Sequence, residues 1–312
     1  MKNVVGYSQV ELMDDNNIPF PLSIMYPTDS EAKMERVGPF TLNVSLNATP
    51  KEVSAPLVII SHGSGGSGLT CRTIAYYLAS HGFIVGMPEH PYNNKDDNSL
   101  EGTVENLINR PQLVTTVIDW FYEHSNFRNL LKEDEVAIIG HSMGGYTALA
   151  IAGGVPTNLP EGSVEQTAKP LSIAHDERVK ALVLLAPAAI WFREEGALNE
   201  VSVPILLMVG EKDEYTGPEC PILINSLKKE QFLPYGHHAK IILDGVPDKS
   251  KIQYRLIENA GHFSFLSPFS DNMKSKTFPP SQDPIGFDRE KFHTEMNKAI
   301  LDFIVSNLTG IL

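Results

Sequence analysis

Cysteine is nearly missing: Cys71 and Cys220 are the only two in 312 residues. Two thiols make neither a disulfide framework nor a Cys-rich zinc centre, and they read as buried or inert, with one bridge as the lesser alternative. Basic charge is also scarce. Lys and Arg number 25 against 38 Asp and Glu, a formal net charge of −13. Nucleic-acid binding is therefore not expected, because neutralising phosphates takes clustered cations. No apolar run approaches the ~18 residues of a membrane span, and Met1-Lys2-Asn3-Val4-Val5-Gly6-Tyr7-Ser8 lacks the apolar core of a signal peptide. A cytoplasmic location without a membrane span is the expectation. Hydrophobic residues make up 42% and charged residues 20%, an ordinary globular balance. At this length roughly three quarters of the unfolded surface can be buried.

Along the chain, short apolar runs alternate with helical stripes. Val4–Tyr7 and Pro21–Tyr26 flank the polar turn Asp14-Asp15-Asn16-Asn17, a hairpin signal. A polar stretch rich in breakers follows up to Pro56. Strands are predicted at Leu57–Ile60, Phe83–Val85, Val136–Ile139, Ala181–Leu185, Ile205–Val209 and Ile252–Ile257. Helices are predicted at Thr73–Ala79, from Pro111 (taken as a first-turn proline) to His124, at Met143–Ile151 and at Phe292–Leu308. This order implies an α/β fold whose mostly parallel sheet is covered by helices on both faces, with an N-terminal antiparallel hairpin. No linker divides the series, so residues 1–312 read as one domain. Two irregular segments, near 153–176 and 263–288, are expected to be lid or pocket-rim insertions; the second carries Phe263, Phe265, Phe269, Phe278 and Phe287.

Gly140-His141-Ser142-Met143-Gly144-Gly145 sits between the Val136–Ile139 strand and a helix. A serine forced into a tight strand-to-helix turn needs small neighbours two positions before and after it, and the helix N-terminus beyond favours developing negative charge. Serine is a weak nucleophile at neutral pH and requires a base oriented by an acid, in the chain order Ser, acid, His for this architecture. Of His175, His237, His238, His262 and His293, the expected base is His262, which follows the last strand in Asn259-Ala260-Gly261-His262. His237 and His238 read as part of a polar loop, and His293 as a surface position on the closing helix. Asp213, just past the Ile205–Val209 strand, is the expected acid. Asp244 is its rival, and Glu211 and Glu214 are weaker candidates. The strand before it ends in Ala186-Pro187-Ala188-Ala189, which has no carboxylate.

Acyl transfer also needs oxyanion donors. The Met143 backbone N–H is one, and Ser64 in Ser61-His62-Gly63-Ser64-Gly65-Gly66 is the expected second. That loop also matches a dinucleotide fingerprint, Gly63-x-Gly65-x-x-Gly68 with Glu89 beyond the next strand. A nucleotide reading leaves Ser142, Asp213 and His262 as coincidences. No cofactor and no metal is expected, since His237 and His238 are adjacent and lack ligand spacing.

With those motifs in place, the sequence resembles the α/β-hydrolases. More narrowly it resembles dienelactone-hydrolase-like proteins, platelet-activating-factor acetylhydrolases and bacterial polyester hydrolases. Pro56-Leu57-Val58-Ile59-Ile60-Ser61-His62-Gly63, Leu78–Val85, Glu89-His90, Asn109-Arg110-Pro111 and the Gly140–Gly145 elbow carry the likeness, with Met25-Tyr26-Pro27-Thr28. The resemblance implies an α/β-hydrolase fold and an ester hydrolase with Ser142 as nucleophile, Asp213 as acid, His262 as base, and Ser64 and Met143 as oxyanion hole. The partner it implies is a small-molecule acyl substrate. Thioester, lactone or amide cleavage and acyl transfer use the same triad, and a catalytically silent binding protein is the alternative outside enzymes. There are departures: dienelactone hydrolases proper carry cysteine at the elbow, the acetylhydrolases place the acid after the preceding strand, and the 153–176 insertion is not part of the resemblance.

Overall fold

The computed structural model describes residues 2–158, 169–220, 222–224, 229–231 and 236–308. Strands β1 (Val4–Met13) and β2 (Pro19–Thr28) pair antiparallel. Their turn is held by Asp14, whose Oδ1 accepts the Asn16 and Ile18 N–H groups at 2.8 Å, the local bonding that suits Asp to turns. The polar stretch before Pro56 holds a second hairpin that the sequence reading missed, β3 (Lys33–Val37) and β4 (Phe40–Leu46). Only Val37 and Val44 of these strands are buried, so little apolar alternation marks them.

The alternating core follows: β5 (Ala55–Ser61), α1 (Arg72–Ser80), β6 (Ile84–Pro88), α2 (Val104–Glu123), β7 (Leu131–His141), α3 (Met143–Ile151), β8 (Val179–Leu185) and β9 (Ile205–Gly210). Beyond lie a small pair, β10 (Ile222–Ile224) and β11 (Lys229–Gln231), then α4 (His237–Gly245), β12 (Ile252–Ile257) and α5 (Arg289–Asn307). Ten strands form one sheet in the order β12-β9-β8-β7-β5-β6-β2-β1-β4-β3. It is parallel from β12 to β6 and turns antiparallel where β2 joins β6.

Because successive strand residues point to opposite faces, each central strand feeds two cores. Leu57 and Ile59, Val136 and Ile138, and Leu182 and Leu184 pack with α2, α3 and α4. Val58 and Ile60, Ala137 and Ile139, and Val183 and Leu185 pack with α1 and α5. Continuous apolar runs in the sequence are the signature of this two-sided burial.

Three expectations need correction. Pro111 lies inside α2, which begins seven residues earlier at a Thr103 cap whose hydroxyl accepts the Asn106 N–H at 3.1 Å. A proline there leaves the Leu107 carbonyl without its helical donor, and the Tyr146 hydroxyl supplies one at 2.9 Å. His237 and His238 open a helix rather than lying in a loop. His293 is buried, not at the surface: its Nε2–H donates to the Ser264 carbonyl at 3.1 Å and its Nδ1 meets the Thr73 hydroxyl at 3.2 Å. The 263–288 segment contains three short 3₁₀ turns, with Phe265 and Phe269 buried and Phe278 exposed. Residues 159–168 of the other irregular segment lie outside the described residues. Cys71 and Cys220 are not bridged, and burial pushes the Cys71 thiol up to about 12. Among the described residues no helix is long and apolar enough to cross a membrane.

Candidate active site

Ser142 occupies the single step between β7 and α3, at φ 52° and ψ −117°. A side chain at positive φ is strained. Here the strain is locked by bonds on both sides: the Ser142 N–H donates to the Leu185 carbonyl at 3.0 Å, and its own carbonyl accepts the Gly145 and Ala188 N–H groups at 2.8 Å. The small flanking residues are obligatory. A Cβ on Gly140 would come 2.1 Å from the Gly144 carbonyl oxygen, and one on Gly144 would come 1.9 Å from that of Ser61. The elbow predicted from sequence is therefore a sharp turn wedged between β5 and β8.

His262 and Asp213 meet at the same edge of the sheet, on the loops after β12 and β9. The His262 Nδ1–H donates to Asp213 Oδ2 at 3.0 Å, and both side chains are buried. Asp213 is fully enclosed, and burial alone would raise its pKa. The His262 bond and charge, with the Thr216 bonds, outweigh burial and hold the carboxyl down to about 2. Its Oδ1 accepts the Tyr215 and Thr216 N–H groups at 2.8 and 2.9 Å, and Oδ2 also accepts the Thr216 hydroxyl at 2.8 Å. An ionised, fully hydrogen-bonded carboxylate fixes the ring of its histidine partner.

His141 ties this pair to the elbow. Its Nε2–H donates to the His262 carbonyl at 3.0 Å, and the two rings lie 5.0 Å apart. Burial first, then the neighbouring His262, depresses the His141 pKa to about 3, so it acts as a neutral clamp between the residue before Ser142 and the loop carrying His262. Sequence reasoning missed this role, and also that of Thr216. Tyr215 and Phe263 flank the His262 ring at 4.9 and 5.1 Å.

Ser64 stands on the exposed loop after β5, and its hydroxyl accepts from Asn93 Nδ2 at 3.1 Å. The loop lies against the elbow: a Cβ on Gly63 would come 3.1 Å from Ser142 Cβ. Met143 opens α3, where the first N–H groups of a helix have no intrahelical acceptor. The Gly63-x-Gly65-x-x-Gly68 match belongs to this same loop, and Gly68 is set by close approach to β6, since its Cβ would fall 2.6 Å from the Met87 carbonyl oxygen.

The rival acids lie elsewhere. Asp244 is at the end of α4, exposed and paired with Lys240 one turn back. Glu211 Oε2 accepts the Asn259 N–H at 2.9 Å, and Glu214 is exposed. Among the other histidines, His175 is exposed in the run before β8, whereas His238 Nδ1 accepts the Ala189 N–H at 3.0 Å. Among the described residues no group of three His, Cys, Asp or Glu is placed to hold a metal ion.

Against this geometry, comparison with known proteins is consistent. Residues 56–161 match a family model described as the alpha/beta hydrolase fold. Platelet-activating factor acetylhydrolase of Bos taurus is 29% identical, and that of Canis lupus familiaris 26%, each match covering 30% of this chain and 31% of the relative. The chain thus spans about 31% of the length of the curated relatives it matches. A ferulic acid esterase from Streptomyces cinnamoneus superposes with a TM-score of 0.68 at 17% identity, over 99% of this chain and 91% of the other. The chain has the α/β-hydrolase fold.

Proposed function

We propose that this protein is a serine hydrolase that cleaves carboxylic esters through an acyl-enzyme on Ser142, as one domain whose 263–288 segment rims the substrate site. The observation that carries the reading is the buried His262–Asp213 bond at 3.0 Å, joined through His141 to a serine held at positive φ. The names of the relatives support an acyl ester as substrate, since one is an acetylhydrolase and the other an esterase.

In the reaction His262 takes the Ser142 proton as Oγ bonds to the ester carbonyl carbon. The carbonyl electron pair moves onto oxygen, and that oxyanion faces the Ser64 and Met143 N–H groups. Collapse re-forms the carbonyl and breaks the bond to the alcohol oxygen, which leaves with the proton from His262. Water then attacks the acyl-enzyme by the same route, releasing the acid and restoring Ser142. Asp213 stays ionised throughout and holds the His262 tautomer.

The test is steady-state hydrolysis of p-nitrophenyl esters of graded chain length by the parent and Ser142→Ala. Loss of ~10⁴–10⁶ in turnover with the fold intact is expected, and near-normal turnover in the variant refutes the reading. Thioesters, lactones, amides and alcohol acceptors pass through the same oxyanion and complete the screen.

A further inference from the structure

Behind the oxyanion loop lies a second buried polar cluster, centred on Arg110 of α2. Its side chain is only 1% exposed, yet none of its hydrogen-bond partners among the described residues is a carboxylate. Nη1 donates to Asn93 Oδ1 at 2.6 Å, Nε to Thr147 Oγ1 at 3.0 Å, and Nη2 to Ser61 Oγ at 3.3 Å and to the His62 carbonyl. A guanidinium stays charged in such surroundings, and an enclosed cation without a counter-charge is strongly unfavourable unless negative charge appears near it.

Its contacts lead to both proposed oxyanion donors. On one side Asn93, with no exposed surface, takes Arg110 on its oxygen and turns its Nδ2 to Ser64 Oγ and to Asn98 Oδ1, the latter at 2.7 Å. Asn98 Oδ1 in turn accepts the Gly65 N–H at 3.2 Å. On the other side Thr147, which accepts from Arg110, donates to the Met143 carbonyl at 3.1 Å. The peptide that carries the Ser64 N–H is also held from behind: the Gly63 carbonyl accepts the His62 Nδ1–H at 2.7 Å and the Gly66 N–H at 3.1 Å. Because carbonyl and N–H point opposite ways across a trans peptide, those bonds turn the Ser64 N–H away from the His62 ring and Gly66.

We propose that Arg110 is the positioning residue of the oxyanion hole, a buried and uncompensated cation that fixes the Ser64 and Met143 segments and favours the negative charge developing between them. The proposal rests on the ester-hydrolase reading above. It differs from a purely structural role because the unpaired charge becomes useful only when the oxyanion forms. Binding in the transition state is therefore affected more than binding of neutral substrate.

The experiment compares the full-length parent with Arg110→Gln and Arg110→Lys. It measures thermal unfolding, p-nitrophenyl acetate kinetics, and inhibition by phenylboronic acid, whose serine adduct is tetrahedral and anionic. In Arg110→Gln, kcat is expected to fall by ~10²–10³ with KM changed by less than about threefold, and boronate Ki to rise by a similar factor to the kcat loss. Arg110→Lys keeps the charge and regains roughly tenfold. A folded Arg110→Gln with kcat within about threefold of the parent overturns the proposal, as does a kcat loss with unchanged boronate Ki. Should Arg110→Gln not fold, the near-isosteric Thr147→Val cuts the Met143 arm alone. Its kcat is expected to drop roughly tenfold at constant KM, and an unchanged kcat refutes the role. A parent that neither hydrolyses esters nor reacts with a fluorophosphonate at Ser142 brings down the hydrolase reading itself. An active, labelled parent with unaffected Arg110 variants brings down this proposal alone.

Discussion

Two buried polar clusters approach Ser142 from opposite sides, and they balance charge differently. On the base side, Asp213 is an enclosed anion matched by His262 and the Thr216 donors. On the side of the Ser64 loop, every side-chain or carbonyl acceptor that the enclosed cation Arg110 meets among the described residues is neutral. The first cluster is complete in itself, its carboxylate already holding the His262, Tyr215 and Thr216 donors. The second meets no carboxylate among the described residues, which is what the proposed role requires, with negative charge appearing only during reaction. The two sides of one elbow therefore carry opposite signs, and in the proposed mechanism these align with the charge separation of acyl transfer.

The comparison breaks most sharply at Asp213. Asp213→Asn removes the anion and permits the wrong His262 tautomer, so kcat is expected to fall by ~10⁴ in ester hydrolysis; a loss under about tenfold would mean that the pair is not catalytic. His141 offers a finer probe of the link between the sides. Replacing it in His141→Phe keeps a ring but deletes the donor to the His262 carbonyl, and kcat is expected to fall roughly tenfold. Unchanged kinetics in that variant would free the base loop from the elbow.

Acid stability probes the neutral histidines packed among these clusters. Burial lowers His62 and His141 from 6.5 to about 3, and His293 to about 4. Only the unfolded chain takes up these protons as pH falls below its own value near 6.5. Their contribution is therefore complete above that pH and is lost as pH drops toward 4 and then 3. Asp213, held at about 2, adds a further loss in the window below its unfolded value of 3.8. Unfolding followed by circular dichroism should show Tm lower by roughly 10 °C or more at about pH 4 than at about pH 8. A flat profile contradicts the burial. The smallest effect belongs to Asp244→Asn, which removes only an exposed ion pair with Lys240 and should leave kcat within about twofold.

Much of this arrangement was legible in the sequence because it is local. The elbow is a run of six residues whose glycines are forced by contacts at 2.1 and 1.9 Å, and the apolar runs before Ser61, Ser142 and Asp213 mark strands covered on both faces. The chain order then pointed to Asp213 and His262, whose side chains the fold brings together. What escaped depends on distant partners. Pro111 argued for a helix start because nothing nearby in sequence announces Tyr146 as donor to Leu107. His293 looked like an exposed helical residue until Thr73 and Ser264, from other elements, enclosed it. Arg110 stood in view within Asn109-Arg110-Pro111, but its meaning lies in Asn93, Thr147 and His62, drawn from three other parts of the chain.

The most direct measurement is intact-mass and peptide mapping of the purified protein after treatment with a fluorophosphonate. The serine oxygen would bond to phosphorus and expel fluoride, with His262 taking the proton. One adduct on Ser142, lost in His262→Ala, is the predicted result. No adduct on Ser142 under conditions that fully label a control serine hydrolase would contradict an activated nucleophile at this elbow.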